Sequence, residues 1–236
     1  MLKYLFPINL LPGGFFISII LHFKTLSQLP IYIYALSISL VASIFILPKK
    51  DVPRYLKLFP LFLFMTLVVE LIGATFMARN NAPLYNFFTI FEFVFYLYII
   101  KEIIHNRGVK NAIIALMILY PILALSNIFF VQRSIYRWHV TTYSVGCLAI
   151  TLCCIYYFFE LFNSNVFVNL KREPAFWIIT GLLFFYTCSF PIFGFANFIS
   201  GLSVIAKNIG AVLVIINVIL YILFAVGFLC RMKFTS

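Results

Sequence analysis

The chain has a single aspartate, three histidines and only six acidic residues among 236. That scarcity excludes much chemistry before any motif is read. Asp51 alone cannot form an intramembrane aspartate pair. His22, His105 and His139 lie in separate segments, so no zinc site of three or four converging ligands is expected. The five cysteines (Cys147, Cys153, Cys154, Cys188 and Cys230) all fall inside apolar runs. Adjacent Cys153 and Cys154 do not have metal-ligand spacing, and no structural disulfide is expected. Neither a Gly-Lys-Ser/Thr phosphate loop nor a His-Glu-x-x-His helix occurs. Long polar stretches are missing too, since the longest connection runs only from 163 to 175. No kinase or nucleotide-binding module fits there, and no cofactor is expected.

What is present is apolar. Hydrophobic residues are 64% of the chain, charged residues 10%, and 30 residues are Phe. A soluble domain is about 45–50% apolar and about 25% charged, so this is a membrane chain, with a mean hydropathy of +1.11. A bilayer-crossing helix takes about 20 apolar residues. Seven stretches qualify: 31–48, 59–78, 87–104, 112–131, 140–162, 176–198 and 208–230. Period-2 alternation is missing, so a transmembrane barrel is not expected. The expected fold is an all-α polytopic membrane bundle of seven transmembrane helices, one domain over 31–236. Residues 1–30 form a broken hydrophobic segment ahead of it. Pro7, Asn9, Pro12, Gly13 and Gly14 interrupt the run 4–23, which reads as an eighth span, a re-entrant or interfacial piece, or a signal-like segment, with an ordered but broken helix favoured.

Lys and Arg in the loops predict the threading. Eleven of the 17 basic residues fall on one side: Lys49, Lys50, Arg54, Lys57, Lys101, Arg107, Lys110, Lys171, Arg172, Arg231 and Lys233. That side should be cytoplasmic, with the C-terminus inside the cell. The net charge of +11 then needs no nucleic-acid partner, because anionic lipid headgroups meet it. Trp138, Tyr136 and Tyr143 at the outer surface, with Trp177, Tyr156 and Tyr157 at the inner one, read as an interfacial aromatic belt. The polar run from Arg79 to Asn86 reads as a connecting turn. Pro174 should open helix 6.

Ionisable residues inside a span are costly and mark functional candidates. Glu70 lies near the centre of span 2. Glu92 lies on the outer half of span 3, and Lys207 opens span 7. Glu160, near the inner end of span 5, reads as a snorkelling surface group. Helical spacing puts Thr66, Glu70, Gly73 and Ala74 on one face. It also aligns Tyr85, Thr89, Glu92 and Tyr96; Ser144, Cys147, Thr151 and Cys154; and Lys207, Gly210, Val214, Asn217 and Tyr221. The expected site is a polar pocket in the outer half of the bundle. Its candidates are Glu70, Glu92, Lys207, Thr66, Tyr96 and Asn217, with Glu70 deepest and Lys207 as counter-charge. Such a carboxylate suits a proton, a cation or an amine. The plainer alternative is hydrogen bonding between helices, at about 0.6–2 kcal/mol per bond.

The run Glu70, Asn81, Leu84-Tyr85-Asn86-Phe87-Phe88-Thr89-Ile90-Phe91-Glu92-Phe93, with Pro174-Ala175-Phe176-Trp177-Ile178-Ile179-Thr180-Gly181-Leu182-Leu183-Phe184-Phe185-Tyr186, resembles a group of proteins. These are small, uncharacterised multi-pass inner-membrane proteins of Bacteroidetes-type bacteria. The resemblance spans 31–230. It implies an inner (plasma) membrane location and carries over no catalytic residue.

Two function classes follow. One is a receptor-like or accessory membrane subunit that binds a small ligand, lipid or partner helix and signals to a cytoplasmic protein. The other is a secondary transporter or proton-coupled carrier using the intramembrane glutamates. A lipid-modifying enzyme with Glu92 or His139 as base ranks third, because no nucleophile–base–orienter set can be named.

Overall fold

The computed structural model describes residues 29–49, 52–75, 80–164, 169–194 and 203–230. For 75 and 203–208 it describes the backbone alone. The segment 4–23 lies outside the described residues. The described chain is all helical. Its elements are α1 (Ile31–Ile44), α2 (Arg54–Thr75), α3 (Ala82–Ile103), α4 (Arg107–Ser126), α5 (Val140–Asn163), α6 (Pro174–Gly194) and α7 (Ser203–Leu229). One π-helical turn, Asn127–Val131, continues α4. All seven expected helices are present, and six are long and apolar enough to cross a membrane. α1 is the exception. Its 14 residues rise about 21 Å, short of a hydrocarbon core of about 30 Å.

Helix pairing defines a ring. α1 packs on α2, α2 on α3, α3 on α5, α5 on α6, α6 on α7, and α7 back on α1. α4 stands outside, packed mainly against α3 and α5. Its position explains its surface: Ile114, Ile118, Leu119, Ile122 and Leu123 are all exposed. Burial is inverted relative to a soluble protein, as lipid demands. Large apolar side chains face outward, whereas Ser39, Thr66, Asn86, Thr89, His139 and Ser189 are buried. Several of these hydroxyls bond the carbonyl one turn back. Thr66 donates to Phe62 O at 2.9 Å and Thr180 to Phe176 O at 2.6 Å, which leaves no orphan donor in the bundle at those positions. Inside the ring, aromatic rings fill the space between α2, α3 and α7. Phe62 stacks on Phe95 at 4.0 Å, and Phe59 meets Phe224 and Phe228 edge-on at 5.5 and 5.3 Å. Such pairs add about 0.5–1.5 kcal/mol each beyond burial.

The loops fasten at both ends. At one end, Asn80 Nδ2 donates to Tyr136 O at 3.2 Å. At the other, the Glu160 carboxylate accepts from the backbone N–H groups of His105 and Asn106, both at 2.9 Å. Glu160 is therefore not a snorkelling surface group. It pins the α3–α4 turn to α5, at the N-terminus of α4, where unpaired amides favour an anion. Glu160→Ala is expected to lower stability by about 2 kcal/mol, read as earlier thermal unfolding in detergent. Glu160→Gln should recover part of it, since one carbonyl oxygen remains.

Four helix starts lie five residues ahead of the apolar windows, among them α4 at Arg107 rather than 112 and α7 at Ser203 rather than 208. α2 begins at Arg54 rather than 59, because Arg54 and Lys57 extend past the apolar run and can reach the interface. α3 begins at Ala82 rather than 87, with Pro83 in its first turn, where a missing N–H costs nothing. Pro174 does open α6. The aromatic belt is only partial. Tyr136 is exposed, but Tyr143 and Tyr157 are buried in the bundle, because their helical positions face the ring rather than lipid.

Candidate functional site

A cavity opens inside the ring, and every ring helix contributes to its wall. α4 does not. α1 supplies Tyr32; α2 supplies Thr66 and Glu70; α3 supplies Tyr85, Thr89 and Glu92. Tyr143 of α5, Phe185 of α6, and Asn217 and Tyr221 of α7 complete the polar and aromatic lining. The cavity volume is about 40 Å³, counted as room for the centres of water-sized spheres. At about 10–15 Å³ per water, that admits roughly three.

Glu92 sits further into its helix than its apolar window suggests. It lies ten residues after the start of α3 at Ala82, about 15 Å along the axis, where a start at 87 would put it about 8 Å in. Glu70 lies on α2, five residues before Thr75.

Glu70 is held from two sides. Tyr32 and Tyr85 donate to its Oε2 at 2.7 and 2.9 Å. Gly73, one turn after Glu70, makes room for Tyr85. A Cβ there would lie 2.6 Å from the Tyr85 hydroxyl oxygen, far inside contact distance. Tyr96, one turn after Glu92 on α3, is buried against Tyr186 at 5.9 Å. Around Phe93 the rings of Tyr120, Tyr143 and Tyr186 close in at 4.8, 5.3 and 5.3 Å. The hydroxyls of Tyr120 and Tyr186 have no partner among the described residues. A second polar layer therefore lies behind Glu92.

Of the six candidate residues, Glu70, Glu92, Thr66 and Asn217 share the cavity wall. Tyr96 stands behind it, one turn after Glu92 on α3. The side chain of Lys207 lies outside the described ones. Tyr32 carried no polar stripe in the sequence, because it sits in the apolar run of α1, so only packing reveals it as a partner of Glu70.

The 131–139 connection is also more than a loop. Asn86 Nδ2 donates to Ile135 O at 2.9 Å and Arg137 O at 2.8 Å, while its Oδ1 accepts from His139 N at 3.2 Å. Arg133 turns the chain in the left-handed region, at φ 51°. Asn80 and Asn86 thus clamp this connection, and from Ala82 the run expected as a turn is already α3. His139 contacts Thr89 Oγ1 through Nε2 at 3.0 Å and Thr142 Oγ1 through Nδ1 at 2.8 Å. Thr89 already donates to Tyr85 O at 2.7 Å, so it accepts from Nε2–H. Nδ1 then accepts from Thr142, and the ring is neutral with its proton on Nε2; that tautomer is assigned from the network. Asn127 Nδ2 extends the chain to Thr142 at 3.3 Å. The cavity wall at Thr89 is thereby wired to the surface connection.

Burial pushes the His139 imidazole down to about 4, against about 6.5 when unfolded. Between those values the unfolded chain binds the extra proton. Stability should therefore fall as pH drops from about 6.5 through 4, by about 3 kcal/mol once both states are protonated. Thermal unfolding across that range checks it. His139→Gln should flatten the slope, because glutamine does not titrate.

No family model, curated protein or solved structure matches the chain. The site is therefore read from its own chemistry.

Proposed function

We propose that this integral membrane protein binds a small positively charged species between Glu70 and Glu92 and works as a proton- or cation-coupled carrier. The observation that carries this reading is two carboxylates on one cavity wall, with no Lys or Arg among the described lining residues. When both carboxyls are ionised they repel strongly in a low-dielectric ring, and a bound positive charge relieves that repulsion. The small cavity favours an ion over a lipid or a partner helix. The inner membrane, with the basic loops on the cytoplasmic side, is the proposed setting.

Flux in proteoliposomes tests the reading. Uptake driven by an imposed pH gradient in sodium-free medium is expected to fall at least tenfold with Glu70→Gln and with Glu92→Gln. Wild-type flux equal to that of empty liposomes would remove the carrier reading. A receptor-like or accessory subunit binding the same ion is the second reading. The His139–Thr89 connection favours it, because it links the cavity wall to a surface loop. A protein co-purifying at fixed stoichiometry, seen by native mass spectrometry, would support that alternative.

A further inference from the structure

We infer that the cavity is a binding site for one largely dehydrated alkali cation, coordinated by oxygen from α2, α3 and α7. This rests on the charged-ligand reading above and narrows it. The argument turns on where the hydrogens go. Thr66 donates its hydroxyl proton to Phe62 O at 2.9 Å. Thr89 donates to Tyr85 O at 2.7 Å. Asn217 donates from Nδ2 to Leu213 O at 2.8 Å. Tyr32 and Tyr85 spend theirs on Glu70 Oε2. These five wall donors are committed to groups around the cavity, while lone pairs are left over. Glu70 Oε1 receives no donor from the described residues, and Asn217 Oδ1 is left as an acceptor once its amide turns to Leu213.

Tyr221 is an independent pointer. Its side chain is 4% exposed, it lines the cavity, and its hydroxyl has no hydrogen-bond partner among the described residues. The hydroxyl is not among the fully enclosed unsatisfied groups of the described residues, so it faces the cavity, where an ion or a water supplies its partner. A wall rich in acceptors, negatively charged once its carboxyls ionise, recognises a cation and rejects an anion. Hard oxygen donors suit an alkali ion rather than a soft transition metal, and no group of three His, Cys, Asp or Glu is assembled for a metal among the described residues. Room for roughly three waters fits one such ion with one or two waters. It does not fit a bulky organic cation.

The test is thermal unfolding of the full chain in detergent, at fixed pH and ionic strength. Lithium, sodium or potassium chloride replaces N-methylglucamine chloride. At least one alkali ion is expected to raise Tm saturably, by about 5 °C at a concentration far above its Kd. Glu92→Gln should abolish the rise, and Tyr221→Phe should weaken it at least severalfold. If Glu92→Gln fails to fold, Tyr221→Phe carries the site test. Identical Tm in all four salts overturns the inference. A rise that persists undiminished in the folded variants also overturns it, because the ion then binds elsewhere. Identical Tm alongside retained proton-driven flux in sodium-free medium would mean that the proton is the sole ligand, so the carrier reading would survive without this one.

Discussion

Asn86→Ala is expected to destabilise the protein by about 4 kcal/mol and to loosen the 131–139 connection. The side chain is fully buried and makes three bonds to backbone groups, of Ile135, Arg137 and His139. Removing it strands two carbonyls and one N–H. Each stranded buried group costs about 1–3 kcal/mol; partial access to water at the bundle end trims the sum. Asn86→Asp separates geometry from chemistry. It keeps the acceptor for His139 N but cannot donate to the two carbonyls, so most of the loss should remain. The checks are thermal unfolding in detergent and hydrogen exchange. The amides of 135–139 should exchange faster in Asn86→Ala, whereas those of the α3–α4 turn at 104–106 should not change. Equal protection in variant and wild type would show that the clamp is not what orders this connection.

Gly146→Ala should cost about 3 kcal/mol, at the upper end for overpacking. A Cβ at Gly146 would lie 2.8 Å from two ring atoms of Phe93 and 2.8 Å from one of Tyr120. Those rings cannot swing away easily, because Phe93 is boxed in by Tyr120, Tyr143 and Tyr186. Gly146 is what lets α5 approach α3 closely, and through α3 it supports the position of Glu92. The control is Gly194→Ala at the end of α6, where an added Cβ meets nothing within 4 Å; its effect should stay within about 1 kcal/mol. Phe93→Leu in the Gly146→Ala background should recover part of the loss by vacating the clash. A Tm unchanged by Gly146→Ala would mean that the α3–α5 contact is looser than its geometry states.

Much of the site was legible because polar residues are rare in this chain. In a sequence this apolar, Thr66, Glu70 and Gly73 stand out at helical spacing, as do Tyr85, Thr89, Glu92 and Tyr96. A helix in lipid must turn such a face inward, so both stripes had to meet inside the bundle. Asn217 and Tyr221 of α7 followed by the same rule. The depth of Glu92 was not legible, because hydropathy marks where a helix enters the apolar core, not where its hydrogen bonding begins. α3 starts at Ala82, outside its apolar window, and those five residues put Glu92 about 8 Å further into its helix. Glu160 looked like an ordinary interfacial acid, since its partners are backbone amides that no side-chain pattern announces.

Composition and period by themselves determined that the chain is a membrane bundle of seven helices with its few polar groups inside. No other arrangement satisfies so many apolar side chains together with the backbone. Only the tertiary structure decided that α4 stands outside a six-helix ring, that Tyr32 joins Tyr85 on Glu70, and that Asn86 and His139 tie a surface connection to the cavity wall. The physical reason is that each of these is a pairing between helices distant in sequence. Lipid sets which face of a helix turns inward, but only packing and hydrogen-bond geometry select its neighbour.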